Sequence, residues 1–160
     1  MTKIDRIVFL SLLLLILSSC SQSAASTPAG NYQERLAQAT KTVVAPKGSM
    51  VGRLVSDTQG GKPLANTVIR LAEIYYNEDK SASNWVLEGA TSPGIDTDAN
   101  GYFTFNNIAA RDYVMIVGDF NDQYYVMVQA DGKHAIIYTI EPGKVLDVQT
   151  VKAEFPLVKK

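Results

Sequence analysis

The chain has 160 residues, 46% of them hydrophobic and 19% charged, with 15 basic against 16 acidic side chains. That length fits one domain, or one domain with a targeting segment, and the even charge leaves no electrostatic footprint for nucleic acid, so no such partner is expected. A single cysteine and a single histidine exclude an intramolecular disulfide and any zinc site that needs two imidazoles.

Lys3 and Arg6 precede an apolar run from Ile7 to Leu17. A basic start followed by a short apolar stretch reads as an export signal, and the run falls well short of the roughly 20 apolar residues of a membrane-spanning helix. It ends in Leu17-Ser18-Ser19-Cys20, which resembles the lipobox of bacterial lipoproteins, and the one cysteine of the chain stands at its close. The resemblance implies a diacylglyceryl group on Cys20 and cleavage just before it, so that residues 1–19 are a signal peptide. A cut after Ser23-Ala24-Ala25 is the competing reading. Two or more acyl chains, at about 0.8 kcal/mol per buried methylene, hold a protein durably on a bilayer. The membrane is thus an expected partner through lipidated Cys20, and the expected place is the cell envelope. In a Gram-negative source it would be the outer membrane, since Ser21 is not the aspartate that retains lipoproteins at the inner one.

Residues 20–48 are expected to be the lipidated cysteine and a flexible linker. Residues 21–30 are small and polar with no apolar period, a composition that cannot order itself by burial. Asn31 as a cap, with Tyr32, Leu36 and Ala39 at near-helical spacing, predicts a short helix to Thr40, marginal if isolated. Residues 41–48 return to linker character with Pro46 and Gly48.

From Ser49 the pattern becomes β. Val51 to Val55 is followed by a turn cluster from Ser56 to Pro63. Thr67, Ile69 and Leu71 fall on one face of the next strand, Val68 and Arg70 on the other. Residues 77–84 read as a surface loop and Trp85-Val86-Leu87 as a new strand. Phe103 and Phe105 share a core face after the turn 96–101. Tyr113 to Val117 is apolar on both faces, as a central strand is. Tyr124–Val128 and Ala135–Ile140 are joined through Asp131-Gly132, a hairpin signal, and Glu141-Pro142-Gly143-Lys144 turns into a last strand, Val145 to Val151. Seven or eight short strands with turns between them predict an all-β sandwich over residues 49–155, with 156–160 as a tail.

Three blocks carry a resemblance to a known family. Residues 51–57 with 62–71, then Thr97-Asp98-Ala99-Asn100-Gly101-Tyr102-Phe103-Thr104-Phe105, then Ile108 to Val117, resemble the carboxypeptidase regulatory-like domain, including its "TD-x-x-G-x-F-x-F" block. The resemblance covers most of residues 49–151 and implies a transthyretin-like (prealbumin-like) Greek-key β-sandwich of about seven strands. Arg111 departs from it, standing where the family usually has Gly, which bears on the turn before Tyr113. The blocks speak for architecture and hardly at all for function.

Candidate sites are few. Asp96, Asp98 and Asn100 with Gly101 match the first half of a calcium loop, but the twelfth position, which needs a bidentate carboxylate, is Asn107. The plainer reading is a turn, and no other cofactor is expected. His134 reads as an exposed turn residue; the chain has no G-x-S-x-G elbow to supply a nucleophile, and the several histidines of transthyretin-like hydrolases are missing. The chain is therefore read as no enzyme. Trp85, Tyr75, Tyr76, Tyr124 and Tyr125 form the candidate ligand-binding set, because aromatic side chains carry much of the energy of interfaces. One member of each adjacent tyrosine pair is expected to point outward. The expected function is a non-catalytic binding or structural module for an envelope protein or a surface glycan. An accessory subunit of an envelope enzyme or transporter is the alternative, and a small-molecule hydrolase the remote one.

Overall fold

The alternating segments pair into two sheets packed face to face. The computed structural model describes residues 31–80 and 83–156, so Cys20, the signal segment and residues 21–30 lie outside the described residues. Those described form one helix, α1 (Tyr32–Thr42), and nine strands: β1 (Lys47–Ser56), β2 (Val68–Tyr76), β3 (Ser83–Val86), β4 (Gly94–Asp96), β5 (Tyr102–Ala109), β6 (Asp112–Gly118), β7 (Tyr124–Val126), β8 (Ile137–Thr139) and β9 (Val145–Ala153). The smaller sheet has the order β5-β1-β9, with β1 antiparallel to β5 and parallel to β9. The larger has the order β3-β2-β6-β7, with β4 also on β2 and β8 also on β6. The all-β sandwich expected from the sequence is the fold, with nine strands in place of about seven. The strand not expected is β4, Gly94-Ile95-Asp96, whose single apolar residue between a glycine and an aspartate shows no alternation in the sequence.

The core lies between the sheets. Met50 and Leu54 of β1 and Phe103 and Phe105 of β5 face Ile69 and Leu71 of β2 and Tyr113, Met115 and Val117 of β6. The two phenylalanines meet edge to face at 6.1 Å, a favoured aromatic geometry. Ala110 and Arg111 make the tight connection from β5 to β6. Arg111 is not among the residues with positive φ and pairs with Glu73 of β2, so the turn before Tyr113 closes without the glycine. Gly101 does sit at φ 78°.

The linker expected over 20–48 is corrected for its described part. Asn31 Oδ1 accepts from the Glu34 N–H at 3.0 Å, and Glu34 Oε2 accepts from the Asn31 N–H at 3.1 Å, a reciprocal capping box that satisfies two end donors. Tyr32, Arg35, Leu36 and Ala39 then form one face at i, i+3, i+4, i+7. That face packs on β1, β5 and β9 and buries Ala39 completely. A helix too short to persist alone is held by the sheet beneath it. The tract after it joins β1 already at Lys47.

Candidate functional site

Central strands apolar on both faces bury one face in the core and leave the other needing cover. On the outer face of the larger sheet, Ala72, Val114 and Ile116 form a second buried cluster beneath Ile74, Leu87, Val126 and Ala135. Beside it Val68, Arg70, Trp85, Leu87, Phe120 and Asn121 surround a cleft of about 530 Å³.

Each wall has a local cause. Trp85 lies opposite Ile74 across the β2–β3 pair, which puts both on the outer face. Phe120 is displayed by the turn between β6 and β7. Gly118 opens that turn at φ 97°, and a Cβ there would stand 2.2 Å from the Gln123 carbonyl oxygen, so only glycine fits. Asp119 Oδ1 accepts from the Asn121 backbone N–H at 2.8 Å and its side-chain amide at 3.1 Å. The Phe120 ring stacks on Tyr124 with centroids 4.2 Å apart and planes 13° from parallel.

Arg70 supplies the charge. Its Nη2 donates to the carbonyls of Glu88, Gly89 and Ser92 at 3.1, 2.9 and 3.2 Å, tying the loop beyond β3 over the sheet. Its Nε is buried with no partner. Backbone oxygens thus meet this half-buried guanidinium where an acid could have stood.

The structure divides the five aromatic residues picked out from the sequence. Trp85 lines the cleft and is 39% exposed, and Tyr124 is 41% exposed, stacked behind the Phe120 wall. Tyr75 and Tyr76 are both exposed, which corrects the expectation of one outward member per pair. They lie where β2 runs past the core, and their hydroxyls donate to Glu73 at 2.9 Å and Asp112 at 2.6 Å. These carboxylate acceptors hold both phenols above their ordinary range. Tyr125 is the second correction: it packs against the main core and is not offered on the cleft face. Phe120, Arg70 and Asn121 were missed. A lone aromatic in the polar turn Asp119-Phe120-Asn121-Asp122, with no alternating partner, was the available signal for the first.

Asp98 braces a turn. Its Oδ1 accepts from the N–H groups of Asn100 at 2.8 Å and Tyr102 at 2.9 Å, and its Oδ2 from Arg35 Nη2 at 2.7 Å. The Asn100 carbonyl accepts from Arg53 Nε at 2.9 Å. Asp96 belongs to β4, where it pairs with Val68. A calcium ion at Asp96, Asp98 and Asn100 would have to displace a guanidinium. Among the described residues no three His, Cys, Asp or Glu side chains converge to hold a metal. His134 sits in the turn between β7 and β8, mostly exposed, with Nδ1 on Asp131 Oδ2. That bond, with the N–H groups of Lys133 and His134, lowers Asp131 to about 2.

A second cleft, of about 380 Å³, opens on the opposite outer face beside α1, among Tyr32, Gln33, Arg53, Tyr102, Asp147 and Gln149. The Tyr32 hydroxyl donates to Asp147, and Arg53 and Arg35 lie 5.3 and 5.7 Å from the Tyr102 ring centre, so its ring faces are largely taken.

Fold and site together define an all-β sandwich protein with an aromatic-walled cleft on its larger sheet. A scan against family models matches no family, and a search of curated proteins matches no relative. Among solved structures the chain is similar to the major pilin subunit of Bacillus cereus, at 12% identity over 67% of this chain and 30% of that one, TM-score 0.40. It is also similar to a DUF3823 family protein from Bacteroides uniformis, at 18% identity over 68% and 43%, TM-score 0.44. A third likeness is to a candidate carbohydrate binding protein from Pseudomonas aeruginosa, at 20% identity over 76% and 99%, TM-score 0.40. The chain spans less than half the length of the first two.

Proposed function

We propose that this chain is a lipid-anchored envelope protein whose carboxypeptidase regulatory-like sandwich is a non-catalytic glycan-binding module, with the cleft between Trp85 and Phe120 as its site. The observation that carries the reading is the cleft itself. Two aromatic side chains on separate elements wall a space of about 530 Å³, with Arg70, Asp119 and Asn121 at its margin. Apolar ring faces for the sugar's C–H surface and a few fixed polar groups for its hydroxyls are what a saccharide requires. His134 is tied to its own exposed turn, which supports a binding role over a hydrolytic one.

The placement fits an anchor at Cys20. α1 leaves the sandwich on the outer face of the smaller sheet, and the cleft lies on the outer face of the larger one. The ten residues 21–30 reach at most about 35 Å when extended, so a lipid at Cys20 would keep the module within that distance of the bilayer. The test is a glycan array probed with the full chain in detergent, beside Trp85→Ala and Phe120→Ala. Each substitution is expected to weaken a specific hit about tenfold or more; binding indifferent to both would overturn the assignment of the site. A Cys20→Ser chain is expected to leave the membrane fraction.

A second reading rests on the β2–β3 hairpin, where Tyr75, Tyr76 and Val86 are 53, 42 and 41% exposed. It makes the hairpin the contact for an envelope protein partner, as in an accessory subunit. Pull-down from the solubilised envelope with Tyr75→Ala and Val86→Ser separates the two.

A further inference from the structure

Four ion pairs join described residues, and each has an acid beside its cation: Arg35 with Asp98, Arg111 with Glu73, His134 with Asp131, Lys144 with Glu141. Arg70 is different. It is half-buried at the cleft, its Nη2 is committed to three backbone carbonyls, and its Nε is buried without a partner. Carbonyl dipoles orient a guanidinium and leave its net charge in place. Asp119, the acid at the same cleft, makes no ion pair with Arg70 and spends one oxygen on Asn121. The Arg70 Nε lies buried against Gly94 of β4, out of a ligand's reach, so an anion in the cleft would meet the guanidinium through Nη1, the nitrogen not committed to a backbone carbonyl, with a charge-assisted hydrogen bond.

We propose that the cleft selects an acidic sugar: the ring of a uronate residue lies against Trp85 and Phe120, and its carboxylate is received by Arg70. This rests on the glycan reading above and adds the ligand's charge to it. A neutral sugar would use the aromatic walls and leave the cation unpaired. Asp119 opposes the carboxylate, which keeps the interaction moderate and gives a second handle on it.

The test compares oligogalacturonate with its fully methyl-esterified form, which keeps the ring and removes the charge. Both are titrated into the full chain in detergent, with Trp85 fluorescence as the readout. The acid is expected to bind about tenfold or more tightly than the ester, and its affinity to fall with added salt while that of the ester holds. Arg70→Gln should bring the two affinities together, and Arg70→Lys should retain part of the difference. Because Arg70 also ties down the loop beyond β3, Asp119→Asn serves as a variant that leaves those bonds alone, and it should raise the acid-to-ester ratio. Equal binding of acid and ester overturns the charge selection and leaves the glycan reading standing. Binding of neither, in a chain that binds no glycan on the array, overturns both. An acid preference that survives Arg70→Gln, or binding of acidic peptides in place of sugars, also overturns the proposal.

Discussion

Arg35 Nη2 stands 2.7 Å from Asp98 Oδ2, so a residue of the helix before the sandwich is joined to the turn that starts β5. The same carboxylate accepts the Asn100 and Tyr102 N–H groups through its other oxygen. The two partners are therefore unequal. Arg35→Ala removes a partly exposed ion pair and the cation over the Tyr102 ring, and is expected to cost about 1 kcal/mol. Asp98→Ala strands turn donors as well and should cost about 2–3 kcal/mol. Urea unfolding of the two variants and the double variant checks this: equal single losses would mean that Asp98 acts only through the helix.

Gly118 is expected to tolerate no side chain. Alanine there meets a positive φ, the Gln123 carbonyl oxygen at 2.2 Å and the Phe155 ring at 2.7 Å. Gly118→Ala should cost about 2 kcal/mol or more and shift the turn that carries Phe120. A melting temperature close to that of the parent would show that the turn has slack.

Trp85 is the one tryptophan of the chain, so its emission reports on the cleft alone. Ligand binding should change its intensity. Tyr124→Ala, which removes the ring stacked behind Phe120 at 4.2 Å, should weaken binding less than Phe120→Ala, since it loosens the wall without deleting it. Equal losses would place Tyr124 itself against the ligand.

Burial raises Tyr138 from 10.0 to about 12, and Tyr32 is raised by burial and by its bond to Asp147. The phenolate is disfavoured in the fold, so the unfolded chain gives up these protons first. The stability they contribute is whole below pH about 10 and is lost as pH rises toward about 12. An alkaline titration followed by tyrosinate absorbance should show exposed phenols ionising first and a late fraction that coincides with unfolding. Tyr138→Phe should reduce that late fraction.

Much of the sandwich was legible because strand alternation is a local property. Phe103 and Phe105, Ile69 and Leu71, and the doubly apolar run 113–117 announce their faces within a few residues, and all pack as expected. β4 was not legible, since its one apolar residue, Ile95, stands between Gly94 and Asp96 with no apolar neighbours to set a period. The docking of α1 was half legible. Its cap and apolar spacing stand in the sequence, but the ion pair to Asp98 spans 63 positions.

Residue types and their local order determined the strands and the inward faces of the sheets, and they carry the pattern, ending at Cys20, on which the proposed lipid anchor rests. Tertiary structure alone decided which aromatic side chains share a site. Trp85 reaches the cleft through its register with Ile74, Phe120 through a turn that needs Gly118, and Arg70 through carbonyls 18 to 22 residues away. Period-two alternation says which side of a strand a residue takes. Which other strand lies beside it is set by pairing across the whole chain, where the core is closed and the outer face is covered.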